Sequence, residues 1–556
     1  MAFSIRWTSS LVIRKILILI FLFTFQISEA QEKSSDRVVI RELKGILLAG
    51  PDEHIPKLTE LRSSGISYKR LLVPNKKKLS RVMGQYLCEP VSMETLDAMK
   101  QSIVHYYQAS GYPIVTAIIP EQDISKGLLA IVVIVGKLGE VHAEGAKYFS
   151  NEKIASMIRT KPGAYIRSKR MAEDLDWIND NPFRTTKLIY EPGDEIGKTN
   201  VSLETKDRFP VKVYGGYQNT GNIIAGRSRF YTGIDWGNAW GIGHRINYQW
   251  TTADRINKWH AHCGNYIIPL PWRNILEFFG AYVKAKPPEG DETDLNGNSW
   301  QVHSNYVIPF RTFEKMKNNV TLGYEFKRTN NFLSFATDQI FDNSIDVSQF
   351  VVGYGFDINY RQGMTSFEVS LYLSPGGMTA FNKDSNFSQE RDGATSNYIY
   401  GKLRFDQMLM LPKDFSWVLN TLFQQSTGKL LPSEEISLGG YATVRGYDEN
   451  EVIGDNGILV KNEFRSPPLT MVKSKKIPHQ IQFLAFVDLG LTYDADQSIL
   501  DKKTEVLASI GPGARYSFGE YVSIRFDYGW QLDSIMRKVD ESNRHSMAHF
   551  GVYCSF

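Results

Sequence analysis

The chain has 556 residues, of which 12% are aromatic, including 28 Tyr and 31 Phe, and 44 are Gly. This length is enough for several domains, and the aromatic and glycine content suits β structure better than a helical bundle. The formal net charge of +4 is near balance for such a length and gives no support for nucleic-acid binding, which requires a clustered basic face.

The amino terminus has the pattern of a secretory signal peptide. Basic residues precede the apolar run Ile16–Phe25, and the small residues Ser28 and Ala30 follow it. A run of about 7–15 apolar residues with these flanks is typical of a cleaved signal, whereas a membrane-spanning helix needs about 20. We therefore predict a signal peptide over 1–30, not a membrane anchor, and an exported mature chain.

The next part of the chain combines helix and strand patterns in two successive units. Each unit has a strand, one or more helices and two further strands. The apolar run Leu128–Gly136 is short and rich in β-branched residues, which indicates a buried strand instead of a membrane helix. The pattern predicts two small α/β modules, over 37–137 and 138–209.

Serine residues mark the predicted helix starts in these modules. Ser92 is placed to cap a helix that Gly111 ends, and Ser150 and Ser168 are placed to cap helices in the second module. A serine hydroxyl can accept an N–H of the first helical turn, and glycine readily adopts the left-handed conformation that ends a helix.

From residue 210 onward the apolar pattern has a period of two. Clear examples are Asn319–Lys327, Gln349–Arg361 and Tyr521–Trp530. A soluble β-sandwich would bury the apolar face in a core, whereas an outer-membrane barrel would turn it to lipid and line the lumen with polar residues. Charged residues in the middle of the strands, and short turns that alternate with long loops, favour the barrel.

The carboxyl terminus supports the barrel interpretation. An alternating apolar face that ends in an aromatic residue is formed by Phe550, Val552, Cys554 and Phe556. About sixteen alternating segments follow residue 210, and an even number allows the first and last strands to close an antiparallel barrel. We predict a transmembrane β-barrel of about 16 antiparallel strands over 210–556, preceded by the two α/β modules.

Other residues give little sign of chemistry. The cysteines Cys88, Cys263 and Cys554 are odd in number and far apart, which predicts no disulfide framework. His260 and His262 share a strand face and could hold zinc, but no third ligand is evident. No phosphate loop, nucleophile triad or carboxylate pair stands out. We therefore expect no metal, no cofactor and no enzymatic activity.

Five blocks of the sequence resemble the TpsB family of two-partner secretion transporters, of the ShlB/FhaC/HecB type, in the Omp85 superfamily. Gly111–Val141 and Leu175–Pro210 are similar to the ends of the family's two POTRA modules, and Tyr217–Gly221 is similar to the end of its first barrel strand. "VRGY" at Val444–Tyr447 and "FVDLG" at Phe486–Gly490 match two motifs of the superfamily. Several members also carry an N-terminal plug helix, for which only about six residues are available here between the predicted cleavage site and the first strand.

The resemblance implies that a loop over 430–457 folds back into the lumen. This loop carries the inward-loop motif Val444, Arg445, Gly446 and Tyr447. Its glycines would let the backbone turn and pass close to the barrel wall.

The second motif lies on the strand Ile481–Gly490. Alternation places Phe486, Asp488 and Gly490 on its lumen side. A guanidinium group can bind a carboxylate through two charge-assisted hydrogen bonds, so we expect an ion pair between Arg445 and Asp488. The alternative is an exposed loop arginine without a fixed partner, which would contribute about 0–1 kcal/mol.

The resemblance also implies a function. We expect a monomeric pore in bacterial outer-membrane lipid that exports a TpsA-like exoprotein, such as a haemolysin or an adhesin, from the periplasm to the cell surface without ATP. The periplasmic POTRA modules would bind this client by strand addition. The alternatives are an outer-membrane protein insertase, which typically has more POTRA modules, and a passive porin or a surface adhesin, in which the modules would have no task.

Overall fold

The structure is a computed structural model that describes residues 38–51, 64–221, 226–285, 297–313, 316–330, 344–472, 477–496, 504–532 and 545–556. These residues form two compact units. One takes the residues up to 146 together with 150–179 and 185–206, and the other takes 147–149, 180–184 and 207–556. The predicted signal peptide, and the stretch in which a plug helix would lie, fall outside the described residues.

The first module is built around a mixed four-stranded sheet. Its elements are β1 (Val38–Ile40), β2 (Gly45–Ala49), β3 (Gly65–Lys69), α1 (Lys76–Gly84), β4 (Val91–Ser92), α2 (Met93–Ala109), β5 (Val115–Ile118) and β6 (Leu128–Val135). The sheet order is β3–β2–β6–β5, and β1 pairs with β4. As predicted, β6 is largely buried, and the Ser92 hydroxyl begins α2 by accepting the N–H of Thr95 at 3.2 Å.

Helix α1 was not predicted. Its sequence, KKKLSRVMG, opens with lysines and buries only Leu79 and Met83, which lie one turn apart on one face. The side chain of Asn75 caps it by accepting the N–H of Lys78 at 3.0 Å. A narrow apolar face and an asparagine cap give a weaker sequence signal than the serine-capped helices.

The second module has a three-stranded sheet in the order β7–β9–β8. Its elements are β7 (Lys137–Glu144), α3 (Asn151–Ser156), α4 (Ser168–Asn179), β8 (Arg184–Pro192) and β9 (Lys198–Asp207). Ser150 caps α3 as predicted, accepting the N–H of Lys153 at 3.2 Å. The sequence suggested Ser168 as the cap of the next helix, but Ser168 is the first residue of α4. The helix therefore begins one residue earlier than predicted.

The remaining strands belong to the barrel and to a loop inside it. They are β10 (Val211–Gln218), β11 (Arg229–Ala239), β12 (His244–Thr252), β13 (Trp259–Pro269), β14 (Ile275–Ala285), β15 (Gly297–Phe313), β16 (Met316–Asn330), β17 (Ser344–Tyr360), β18 (Gly363–Pro375), β19 (Asn397–Met410), β20 (Ser416–Ser426), β21 (Ile436–Leu438), β22 (Val452–Gly454), β23 (Asn456–Arg465), β24 (Leu469–Val472), β25 (His479–Tyr493), β26 (Glu505–Phe518), β27 (Val522–Gln531) and β28 (Ser546–Ser555). A short helix, α5 (Asp384–Glu390), follows β18.

The barrel is closed, and each wall strand is antiparallel to its neighbours. Both β23 and β24 pair with β25, so these two segments form one wall strand interrupted at Ser466–Pro468. The wall therefore has 16 strands, which confirms the predicted fold class. The closing seam joins β10 to β28 over Tyr214–Gln218 and Gly551–Ser555, whereas β15 and β16 pair over the much longer stretch Ser299–Phe313.

Side chains along the wall alternate between the outside and the lumen. On β17, Phe350 and Val352 face outward with 46% and 43% of their surfaces exposed, whereas Gln349 and Val351 face inward and are 0% and 8% exposed. The apolar row is thus on the outside, as predicted, where a membrane barrel contacts lipid. Among the residues that the structure describes, no helix combines the length and the apolar character needed to cross a membrane.

The connections also follow the predicted pattern. Leu270–Asn274 and Leu411–Phe415 form short turns, and the longer connection after β18 contains α5. Cys88, Cys263 and Cys554 are all free thiols.

Candidate functional site

Residues 427–455, here called the inward loop, connect β20 to β23 and contact the lumen side of the barrel wall. Within the loop, β21 pairs with β22 as a short hairpin. Apolar loop residues, among them Leu438, Val444 and Tyr447, pack with the wall residues Leu459 and Leu507. The loop thus has a small apolar core of its own, which a solvated surface loop would lack.

Arg445 lies at the centre of the contact between the inward loop and the wall. Only 1% of its surface is exposed. Its Nε and Nη2 donate to the two carboxylate oxygens of Asp488 at 2.7 and 2.8 Å, and its backbone N–H donates to the same carboxylate at 3.1 Å. Its guanidinium carbon lies 3.6 Å from the centroid of the Phe486 ring. The structure therefore brings together Arg445, Asp488 and Phe486, which the sequence had placed on two separate motifs.

Further charges surround this pair. Arg445 also donates to Glu463 of β23 at 2.6 Å, and its Nη1 lies 3.6 Å from a carboxylate oxygen of Asp527 on β27. Arg465 binds Glu463 at 2.5 Å, and Arg515 binds Asp527 at 2.8 Å. Burial alone would lower the pKa of Arg445, but its bonds to Asp488 and the neighbouring carboxylates hold that pKa above its ordinary value. The arginines and carboxylates balance each other, as buried charges must.

Gly446 brings the loop backbone onto the wall. Its φ is +93°, and a Cβ added there would lie 2.9 Å from the carbonyl oxygen of Gly529 on β27. Its N–H donates to Nε2 of His549 at 2.9 Å, and its carbonyl accepts from Gln531 at 2.7 Å. Both a left-handed backbone and close packing thus require glycine here.

The other predicted site residues lie in the same region. Val444 is fully buried, and the Tyr447 hydroxyl donates to the carbonyl of Ala508 at 2.9 Å. A Cβ at Gly490 would lie 2.8 Å from both Leu438 and Val444. The four residues Val444–Tyr447 and the lumen-facing residues Phe486, Asp488 and Gly490 therefore belong to one contact region.

Sequence reasoning missed several members of this region. Glu463, Asp527 and His549 are contributed by β23, β27 and β28, and alternation had indicated only that Asp527 lies on a polar strand face. Nothing in a single strand identifies which loop residue its lumen side will contact, because the partners are far apart in the chain.

The histidines considered as zinc ligands have other partners. The hydroxyl of Tyr248 and Nδ1 of His262 are 2.7 Å apart, and Nδ1 of His260 lies 3.1 Å from the carbonyl of Ile256. These contacts satisfy polar groups near the start of β13.

Glu449 gives the inward loop a dependence on pH. Its carboxylate accepts the N–H of Tyr441 at 2.7 Å. Burial raises the pKa of Glu449 from 4.5 to about 7, against the opposing effect of Lys461. Because the folded state binds this proton more tightly than the unfolded state does, stability falls as the pH rises from about 4.5 to about 7 and is level above that.

We expect Glu449→Gln to flatten this dependence. Between pH 5 and 7.5, thermal unfolding of the purified chain in detergent should lose up to about 3 kcal/mol less stability in the variant than in the wild type. Glu520→Gln, which removes an exposed carboxylate bound to Arg208 at 3.1 Å, is the control and should keep the wild-type slope. Equal slopes for Glu449→Gln and the wild type would contradict the assignment.

Comparison with known proteins shows which protein family has this architecture. The family model described as haemolysin secretion/activation protein ShlB/FhaC/HecB matches residues 197–516, and the model of the POTRA domain, ShlB-type, matches residues 64–136. The heme/hemopexin transporter protein HuxB of Haemophilus influenzae (strain 86-028NP) is 22% identical over 491 residues, covering 84% of this chain and 82% of its own length. The outer membrane transporter CdiB of Escherichia coli O6:K15:H31 is 22% identical over 394 residues, covering 69% and 65%.

Solved structures support the same fold. CdiB from Escherichia coli superposes with a TM-score of 0.72 at 17% identity, with 100% of both chains covered. CdiB from Acinetobacter baumannii gives a TM-score of 0.65 at 14% identity and covers 99% of this chain and 100% of its own.

Proposed function

The chain belongs to the haemolysin secretion/activation protein family ShlB/FhaC/HecB, and from this membership we propose how its parts divide the work of export. It is an outer-membrane transporter of two-partner secretion, a pore through which a partner protein leaves the periplasm. One observation supports this assignment of roles. Small α/β modules whose sheets have strand edges precede a closed barrel, and Arg445 fixes the inward loop to the wall of that barrel.

The barrel would conduct the client as an unfolded chain. Part of its lumen is lined with neutral amides: Asn247 lies directly opposite Asn265, and Gln249 is bonded to the inward-facing Tyr214. Amide side chains can exchange hydrogen bonds with a passing backbone without binding it tightly. Folding of the client outside the cell would draw the chain outward without ATP. Members of the family are transporters, and we propose that this chain likewise has no catalytic role.

The second module would capture the client at β8, an edge of the sheet β7–β9–β8. The other edge is already occupied, because Leu138 of β7 exchanges backbone hydrogen bonds of 2.7–2.8 Å with Gly163 and Ala164. An extended client segment could pair with β8 through backbone hydrogen bonds, and its side chains would supply specificity.

The backbone direction of β8 can be read from Thr186. Its N–H and its carbonyl both bond to the side chain of Asn179, at 2.7 and 2.9 Å, so they point away from β9. Backbone groups alternate in direction along an antiparallel strand. The N–H of Leu188 therefore points to the same outer side and would donate to the client.

We expect export to fail when this donor is removed. Deleting the gene should remove one large protein from the culture medium, and the wild-type chain should restore it. Leu188→Pro should restore at least fivefold less, because proline lacks the N–H but is tolerated on an edge whose N–H points outward. Leu188→Ala, which keeps the N–H, is the control and should export within twofold of wild type.

Two results would count against these proposals. A medium unchanged by the deletion would mean that the chain has no secreted client under those conditions and would remove the basis for client capture. Wild-type export by Leu188→Pro would exclude β8 as the capture edge while leaving the transport function intact.

A single mass on light scattering in detergent, equal to one chain, is expected if the pore is a monomer.

A further inference from the structure

The inward loop has a second charged contact with the wall, at Glu434. The carboxylate of Glu434 is 1% exposed and accepts from Nζ of Lys327 on β16 at 2.8 and 3.0 Å. It also accepts from the Tyr400 hydroxyl of β19 at 2.7 Å and from Nε2 of Gln349 on β17 at 2.9 Å. Burial alone would raise the pKa of Glu434, but the Lys327 ammonium holds it below its ordinary value, so the carboxylate is charged at neutral pH.

The Glu434 contact and the Arg445 contact lie on different parts of the barrel wall. Glu434 contacts β16, β17 and β19, whereas Arg445 and Gly446 contact β23, β25, β27 and β28. Between the two contacts, Leu438 packs with Leu459 of β23, so the loop follows the lumen side of the wall from one contact to the other.

A surface loop covers the Glu434 end. Arg391, which follows α5, donates to the carbonyl of Leu430 at 2.6 Å and binds Glu435, Asp455 and Asp494 at 2.5–2.7 Å. The carboxylate oxygens of this acidic group lie within 4.8 Å of one another, and the arginine supplies the charge that allows them to do so. The base of the inward loop and the surface loop are thus joined by shared charges.

The Glu434 and Arg445 side chains differ in the kind of charged contact that they make. At Arg445, a planar fork binds two carboxylates, the backbone adds a further bond, and Gly446 is packed against Gly529. Among the described residues, the cation that bonds to the Glu434 carboxylate is the Lys327 ammonium, whose donors rotate, and the other side chains that donate to this carboxylate are neutral. An ammonium is a compact charge on a flexible stem, and charged side chains of a passing client can compete for it.

We propose that Glu434 and Lys327 form a releasable anchor that holds the base of the inward loop against the wall in the resting pore, and that this part of the loop moves away from the wall for the client. The proposal rests on the transport function given above, and it makes Glu434 a positioning residue of the inward loop. Arg445 is the end that stays attached to the wall.

The test measures the resting pore without any client, so it does not depend on the identity or capture of the client. The full-length chain is purified in detergent and inserted into planar lipid bilayers, and its conductance is recorded at neutral pH. Lys327→Glu and Glu434→Lys each place like charges at the anchor, and each should raise the mean conductance at least threefold. The double variant Lys327→Glu/Glu434→Lys restores opposite charges and should return within twofold of wild type.

A matched control comes from β19, the same side of the wall. Arg404 is an exposed cation on that strand. Arg404→Ala should leave the conductance within twofold of wild type. Migration of unheated samples on a denaturing gel reports whether each barrel is folded, and variants that fail to fold are replaced by the milder pair Lys327→Met and Glu434→Gln, for which the same threefold rise is expected.

Three results of the conductance measurements would overturn the proposal. They are an unchanged conductance in folded single variants, a swapped pair that conducts like the single variants, and a rise of equal size in Arg404→Ala. Client export that persists in Glu434→Gln would support a role in the resting state, whereas loss of export from a folded Glu434→Gln barrel would contradict it.

Discussion

Arg445→Ala should abolish most export and loosen the inward loop. The substitution leaves Asp488 buried without its bonded arginine and leaves Glu463 with Arg465 alone, and breaking a buried ion pair in this way costs about 3–5 kcal/mol. We expect at least a tenfold fall in client in the medium, together with faster protease cleavage of the loop in outer-membrane preparations. Arg445→Lys should not restore export, because lysine lacks the planar fork that binds both oxygens of Asp488.

Lys429 is the matched control for this prediction. It lies in the same inward loop and binds Asp496 at 3.1 Å, but its side chain remains 25% exposed. An ion pair of this kind contributes at most about 1 kcal/mol, so Lys429→Ala should export normally. Wild-type export by a folded Arg445→Ala barrel would show that the ion pair is not needed for transport.

The second large effect is expected from Gly446→Ala. The new methyl group would meet the backbone of Gly529 at 2.9 Å, and the left-handed φ of +93° would disfavour alanine by a further 1–2 kcal/mol or so. Neither backbone can move far, because both are held by hydrogen bonds in the contact region. We expect an export defect of about tenfold, close to that of Arg445→Ala, measured in the same medium assay.

Two other glycines separate the causes of this effect. Gly529→Ala has no left-handed backbone but would place its Cβ 2.7 Å from Gly446, so it should reproduce the defect through the clash alone. Gly377 has a φ of +68° with no neighbouring atom within 4 Å, so Gly377→Ala tests the backbone effect alone and should export within twofold of wild type. If Gly377→Ala were as defective as Gly446→Ala, close packing would not be the cause.

Much of the fold was predictable because the same apolar pattern recurs in many segments and indicates the same kind of strand in each. A period of two over many segments, with apolar residues on one face, specifies strands whose outward side is apolar. The lumen position of Asp488 follows from the same alternation, since Val487 and Leu489 must face outward. The pairing of Asp488 with Arg445 needed the resemblance as well, because alternation does not say what lies opposite a lumen residue.

The anchor at Glu434 could not be predicted from the sequence. Glu434 and Lys327 are 107 residues apart, and they meet only because the closed wall brings β16 beside the base of a loop that begins after β20. The sequence around Glu434, LLPSEEIS, has the composition of an ordinary polar turn. Long-range charge pairs of this kind depend on closure of the whole barrel and leave no local signature.

The seam between β10 and β28 has a consequence for biogenesis. The two strands that must meet lie at opposite ends of the barrel sequence, so the wall keeps two unpaired edges until the last residues have been synthesised and delivered. Gly446 reaches His549 on the final strand, so the loop must be enclosed no later than the moment of sealing. A maturation intermediate would therefore be an open, curled sheet with the inward loop already inside, and the short seam would be the last part of the wall to pair.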